Sequence, residues 1–128
     1  GVQTCALPIS DAEAAWAART AFTGVDPETA AAYEYALFHP EAIAWMPCYC
    51  GCAAIDHRSN LDCYLARETA NGKTQFEEHA SFCEICVRTT LLTQRLLGEG
   101  RSLREIRSVV DTTFGGAVPG TPTELPPG

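Results

Sequence analysis

Positive charge is scarce in this chain: nine Lys and Arg face sixteen Asp and Glu across 128 residues, a formal net charge of -7. Binding to phosphate backbones needs a basic patch, so nucleic acid is excluded as a partner, whereas acidity weakly favours cations, metal ions included. Long apolar runs are missing too. No stretch approaches the roughly 20 residues of a membrane-spanning helix, so the chain as given reads as soluble and would reach a membrane only through a lipid anchor. Large apolar side chains are also few. Leu, Ile, Val and Phe together number 26, and alanine supplies apolar character without much area to bury. The expectation is one domain with a thin core, which gains from cross-links or a metal.

Cysteine is what the chain has in excess, with seven residues. Seven is an odd count, and Cys5 is set apart. It lies in Val2-Gln3-Thr4-Cys5-Ala6-Leu7-Pro8-Ile9, which resembles the translation of a common sequencing-library adapter, so residues 1–9 are read as foreign to the domain. The competing idea, lipid attachment at Cys5, is poorly served by Gln3-Thr4. Six cysteines remain for the domain, expected over residues 10–116.

The pattern of caps and breakers predicts helices and no strand or repeat. Ser10 and Glu13 open a capping box for an alanine-rich helix to Phe22. Asp26-Pro27 starts a second, to about Phe38, with Tyr33, Leu37 and Phe38 inward. His39-Pro40 ends it, and Glu41 to Met46 has room for one turn. Ser59 with Asp62 caps a short helix from Asn60 to about Arg67. The longest helix is predicted from about Gln75 to Leu97. A last one follows the Ser102/Glu105 capping box to about Phe114, with Leu103, Ile106, Val110 and Phe114 as its apolar face. The Pro- and Gly-rich segment 117–128 is expected to be disordered. The architecture is therefore all-α, a small bundle of about four main helices with a cysteine-rich loop packed against the longest one.

Met46-Pro47-Cys48-Tyr49-Cys50-Gly51-Cys52, followed by His57, Cys63, His79, Cys83 and Cys86, reads as the wall of a soft-metal site. Alternating thiolates on a loop, with Gly51 for curvature, can aim at one point. On a continuous helix His79, Cys83 and Cys86 fall at i, i+4 and i+7 and share a face. Cys48, Cys50, Cys52, Cys63, Cys83, Cys86, His57 and His79 make eight potential ligands, enough for two tetrahedral Zn²⁺ sites or a thiolate-bridged Cu(I) cluster. The spacing matches neither ferredoxin pattern of iron–sulfur ligation. His39 reads as a helix-end residue, Met46 as core, and Tyr49 and Tyr64 as packing over the site.

Two other readings use the same residues. Three disulfides would join Cys48, Cys50 and Cys52 to Cys63, Cys83 and Cys86, because i, i+2 cysteines rarely pair with each other; the result is a stapled interaction domain. A thiol redox enzyme would use Cys83-Glu84-Ile85-Cys86, but that motif works at a helix start and is predicted here to lie mid-helix. A non-enzymatic metal protein is the simpler account.

Pro47-Cys48-Tyr49-Cys50-Gly51-Cys52, then His57 to Tyr64, then His79-Ala80 with Cys83 and Cys86, and finally Gly100 to Arg107, resemble the PCYCGC-motif bacterial (lipo)proteins. The likeness covers roughly residues 33–115. It implies an exported, lipid-anchored protein of the bacterial cell envelope that handles metal, with the cysteines and histidines named above as ligands and a metal-donor or metal-acceptor protein as partner. This chain departs from that pattern in lacking a signal sequence and lipidation site, expected upstream. Outside the cytoplasm exposed thiols oxidise, which favours a closed metal site or disulfides. Cu(I) is the first expectation for the metal and Zn²⁺ the second.

Overall fold

In the computed structural model the described residues are 26–49, 57–65, 77, 79–116 and 120–127, with residue 79 described by its backbone alone. They are helical, and a single bridging residue, Leu65, is the only extended pairing among them. The all-α expectation holds. The helix expected over 10–22 lies outside the described residues.

Helix α1 spans Pro27–Phe38. Its start is set by Asp26, whose carboxylate accepts from the Thr29 amide and hydroxyl at 3.1 and 3.0 Å, while Pro27 occupies a first-turn position whose missing N–H costs nothing. Ala32, Tyr33, Ala36 and Leu37 are buried at helical spacing. Pro40–Ile43 forms the one-turn helix α2. A 3₁₀ turn follows at Asn60–Cys63, capped by Ser59 Oγ, which accepts from the Leu61 amide at 3.2 Å. Asp62 does not cap as expected. It accepts from the Arg58 amide at 2.8 Å, which tightens the approach to the turn.

A second 3₁₀ turn at His79–Phe82 leads into α3, Glu84–Gly98, and α4 spans Leu103–Phe114. The Ser102/Glu105 capping box forms as expected, with both hydrogen bonds at 3.1 Å. Gly100 turns the chain between α3 and α4 with φ of 85°, a conformation that favours glycine.

Helix α3 is the axis of the fold, packing against both α1 and α4. Its first half joins α1 and the first 3₁₀ turn in one buried cluster that includes Tyr33, Leu37, Ile43, Cys48, Cys63, Tyr64 and Cys86. Its second half joins α4 around Met46, Leu96, Ile106 and Val110, so Met46 is core as expected. Thr89 and Thr93 are buried on α3 without orphaned hydroxyls, because each donates to the carbonyl four residues back at 2.8 Å.

A further expectation is corrected. The longest helix does not run from Gln75 to Leu97 as one piece. Cys83 is extended (φ −131°, ψ 104°) and forms the N-cap of α3. The reason lies upstream, where both backbone groups of Glu77 are taken by other elements: its amide donates to the Tyr64 carbonyl at 2.7 Å and its carbonyl accepts from Tyr33 Oη at 2.5 Å. These two bonds tie Glu77 to α1 and to Tyr64, ahead of the break at Cys83. Burial, and then the nearby Glu77 carboxylate, hold the Tyr33 phenol well above the usual tyrosine pKa.

The last described residues, 120–127, form neither helix nor strand, and their backbone is held by side chains of other elements. Arg107, nearly buried on α4, pairs with Asp111 through Nε at 3.0 Å and donates to the carbonyls of Trp45, Thr123 and Glu124 at 3.3, 3.2 and 2.7 Å. Thr123 Oγ1 also donates to the Arg58 carbonyl at 2.6 Å. Proline content removed amide donors from this segment but left its carbonyls to be gripped by one guanidinium.

Candidate metal centre

Three cysteines from three separate segments meet in the first buried cluster. Cys48 follows α2, Cys63 ends the first 3₁₀ turn, and Cys86 lies in the first turn of α3. All three are fully buried, and their Sγ atoms lie within 4.8 Å of one another. The Cys48 and Cys86 sulfurs are 2.9 Å apart, and those of Cys86 and Cys63 are 3.3 Å apart.

Each cysteine is held by its backbone. The Cys48 amide donates to Thr121 Oγ1 at 3.0 Å, and the Thr121 amide returns a bond of 3.0 Å to the Cys48 carbonyl. Thr121 Oγ1 lies 2.7 Å from Thr123 Oγ1. The Cys86 carbonyl accepts from Tyr64 Oη at 2.8 Å and from Asn60 Nδ2 at 3.3 Å, and Asn60 Nδ2 also donates to Thr90 Oγ1 at 2.8 Å. Asn60 Oδ1 is buried without a protein partner, so the amide uses only its donor half here. Burial holds the Tyr64 phenol far above its ordinary pKa, keeping it a neutral donor to that carbonyl. None of these supports was legible in the spacing of cysteines. Thr121 in particular carried no signal, since it stands 73 positions from Cys48.

The expected ligands divide as follows. Cys48, Cys63 and Cys86 form the trio. His57 Nδ1 stands 3.4 Å from Cys63 Sγ, at the partly buried edge of the site. Cys83 is partly buried and packs against the same cluster, but as an N-cap it does not share a helical stripe with Cys86. Cys50, Cys52 and the side chain of His79 lie outside the described residues. Tyr49 does not pack over the sulfurs. Its hydroxyl donates to Asp111 Oδ1 at 2.6 Å, and its ring abuts Gly120, where an added Cβ would come within 2.6 Å of it. Burial and then the Asp111 carboxylate push the Tyr49 phenol up to about 12.

The chemistry of this donor set fits a soft cation. At 2.9 and 3.3 Å the sulfurs stand beyond the disulfide length of about 2.04 Å. They lie within the edge of about 3.8 Å set by four metal–sulfur bonds of about 2.3 Å, so a shift of less than about 1 Å admits an ion. Buried thiolates need a compensating charge, and thiolate donors select Cu(I) or Zn²⁺ over harder ions.

A family model described as "Protein of unknown function with PCYCGC motif" matches residues 11–127. No curated protein and no solved structure matches the chain.

Proposed function

The chain belongs to the PCYCGC-motif family, and from that premise we propose that it is a non-enzymatic protein that binds a soft metal ion, Cu(I) first and Zn²⁺ second. The observation that carries this reading is the buried trio of Cys48, Cys63 and Cys86 sulfurs, contributed by three segments and all within 4.8 Å. A structural role needs no such convergence, because a lone buried cysteine packs as a small apolar side chain. His57, Cys50, Cys52 and His79 are the further ligands in this proposal, and they would complete the coordination of one or more ions. Its setting in this proposal is the bacterial cell envelope, and its role is sequestration of the ion or exchange with a donor or acceptor protein.

The test is metal analysis of protein purified anaerobically, beside Cys86→Ser. Bound Cu(I) or Zn²⁺ in the wild type and its loss in the variant support the proposal; a wild type without metal above background refutes it.

One observation favours a second reading. Cys48 and Cys86 are 2.9 Å apart, near enough for a small movement to join them in a disulfide. Intact mass before and after alkylation separates the two states: a metal protein alkylates at its cysteines once denatured and chelated, whereas a disulfide-stapled one does so only after reduction.

A further inference from the structure

Cys83 faces two ways. On its inner side it packs against the cluster that holds the trio. On its outer side it lines a surface pocket of about 430 Å³, together with Asp26, Glu28, Glu84, Phe82 and Val87. The pocket carries three carboxylates against one guanidinium, Arg88, which already sits 4.0 Å from Glu84. Phe82 stands at its rim, 81% exposed. A volume of this size accepts a small ligand rather than a bare ion alone.

The same cysteine is linked to the trio through the first turn of α3. Cys83 is the N-cap and Cys86 the third helical residue. These are the two positions whose side chains reach each other's backbone in a capping box, so an ion held by Cys83 is within one turn of a trio ligand. The Cys-x-x-Cys motif therefore joins a partly buried cysteine to a fully buried one.

We propose that the pocket at Cys83 is the port through which a thiol-bound soft cation is taken up, with Cys83 as the first ligand and the buried trio as the destination. The inference rests on the metal-binding reading above and adds a route and a substrate form. The exchange is balanced without redox chemistry. As the Cys83 sulfur binds the ion, one carrier thiolate leaves and takes the proton that Cys83 releases; Cys86 then displaces Cys83 in the same way, and the ion stays Cu(I) throughout. The exposed Phe82 offers an apolar contact for the carrier.

The experiment follows uptake by the full chain, reduced and metal-free, from Cu(I) presented as its complex with a small thiol, with a chromogenic Cu(I) chelator reporting both rate and equilibrium affinity. With Cys83→Ser, affinity is expected to stay within about threefold of wild type, well short of the 10–100-fold or greater loss that removing a ligand or its support brings. Uptake is expected to slow about tenfold or more, because the exchange loses its local ligand. An unchanged rate overturns the proposal, as does an affinity loss as large as that of Cys86→Ser, which would make Cys83 a resident ligand. A wild type that takes up no Cu(I) fails the metal-binding reading itself and is thereby distinguished from failure of the port alone. Pulse alkylation of the wild type needs no variant to fold: Cys83 is expected to react ahead of Cys48, Cys63 and Cys86, and the reverse order also overturns the proposal.

Discussion

At the scale of single residues, the supports of the trio determine where its sulfurs lie. Thr121→Val keeps the shape of the side chain but leaves the buried Cys48 amide without its acceptor. The expected loss is about 1–3 kcal/mol, measured as a lower denaturant midpoint at an unchanged slope. Tyr64→Phe tests the other side of the site. Because Asn60 Nδ2 still donates to the Cys86 carbonyl, its expected cost is smaller, about 1 kcal/mol. Equal losses in the two variants would contradict this difference. The cysteines and His57 were readable in the sequence as candidate ligands because soft-donor residue types are few and were densely spaced. Thr121 and Asn60 were not, since Thr and Asn are common and their role depends on a partner far along the chain.

At the scale of elements, caps and clamps carry the argument. The Ser102 amide and then its hydroxyl hold the Glu105 carboxyl below the ordinary glutamate value. A depressed carboxylate contributes stability that is present above its unfolded pKa of about 4.3 and is lost as the pH falls through its lower folded value. Ser102→Ala removes the hydroxyl that accepts from the Glu105 amide and is expected to lose about 1 kcal/mol near neutral pH, the usual cost of a lost N-cap. Its thermal midpoint should fall by about 4 °C there, and the gap to wild type should narrow on acidification through that window. A gap independent of pH would show that Glu105 takes no part. The second element is the segment 120–124, held by Arg107. Arg107→Lys gives up the planar fork for a single ammonium, so faster amide exchange and proteolysis are expected at 120–124 and, through Thr121, looser packing at Cys48. Helix ends were legible here because caps are local: Asp26-Pro27 and Ser102/Glu105 occur where they were read. The start of α3 was not, because the hydrogen bonds that tie Glu77 ahead of it come from Tyr64 and Tyr33.

At the scale of the whole molecule, a thin core is split into two clusters joined by α3, and the trio sits in one of them. An ion bound there ties the segments of Cys48, Cys63 and α3 together. Binding to the folded state alone stabilises it by mass action, about 4 kcal/mol at a thousandfold excess over Kd. Titrating Cu(I) into the anaerobic apo-protein is expected to raise its thermal midpoint and slow exchange around residues 60–63 and 86–90, while leaving the region of Val110 least changed. A uniform effect, or none, would count against a site within the first cluster.

Composition and local pattern were enough to establish a helical fold with its caps and a cysteine-rich centre. These depend on residue type and on spacings of a few residues. Which cysteines converge, that Cys83 begins a helix instead of continuing one, and that the last residues buttress Cys48 depend on contacts across 13 to 73 positions. Local patterning carries no register for such contacts. They arise only when α1, α3 and the two 3₁₀ turns pack and their backbone donors and acceptors must all find partners.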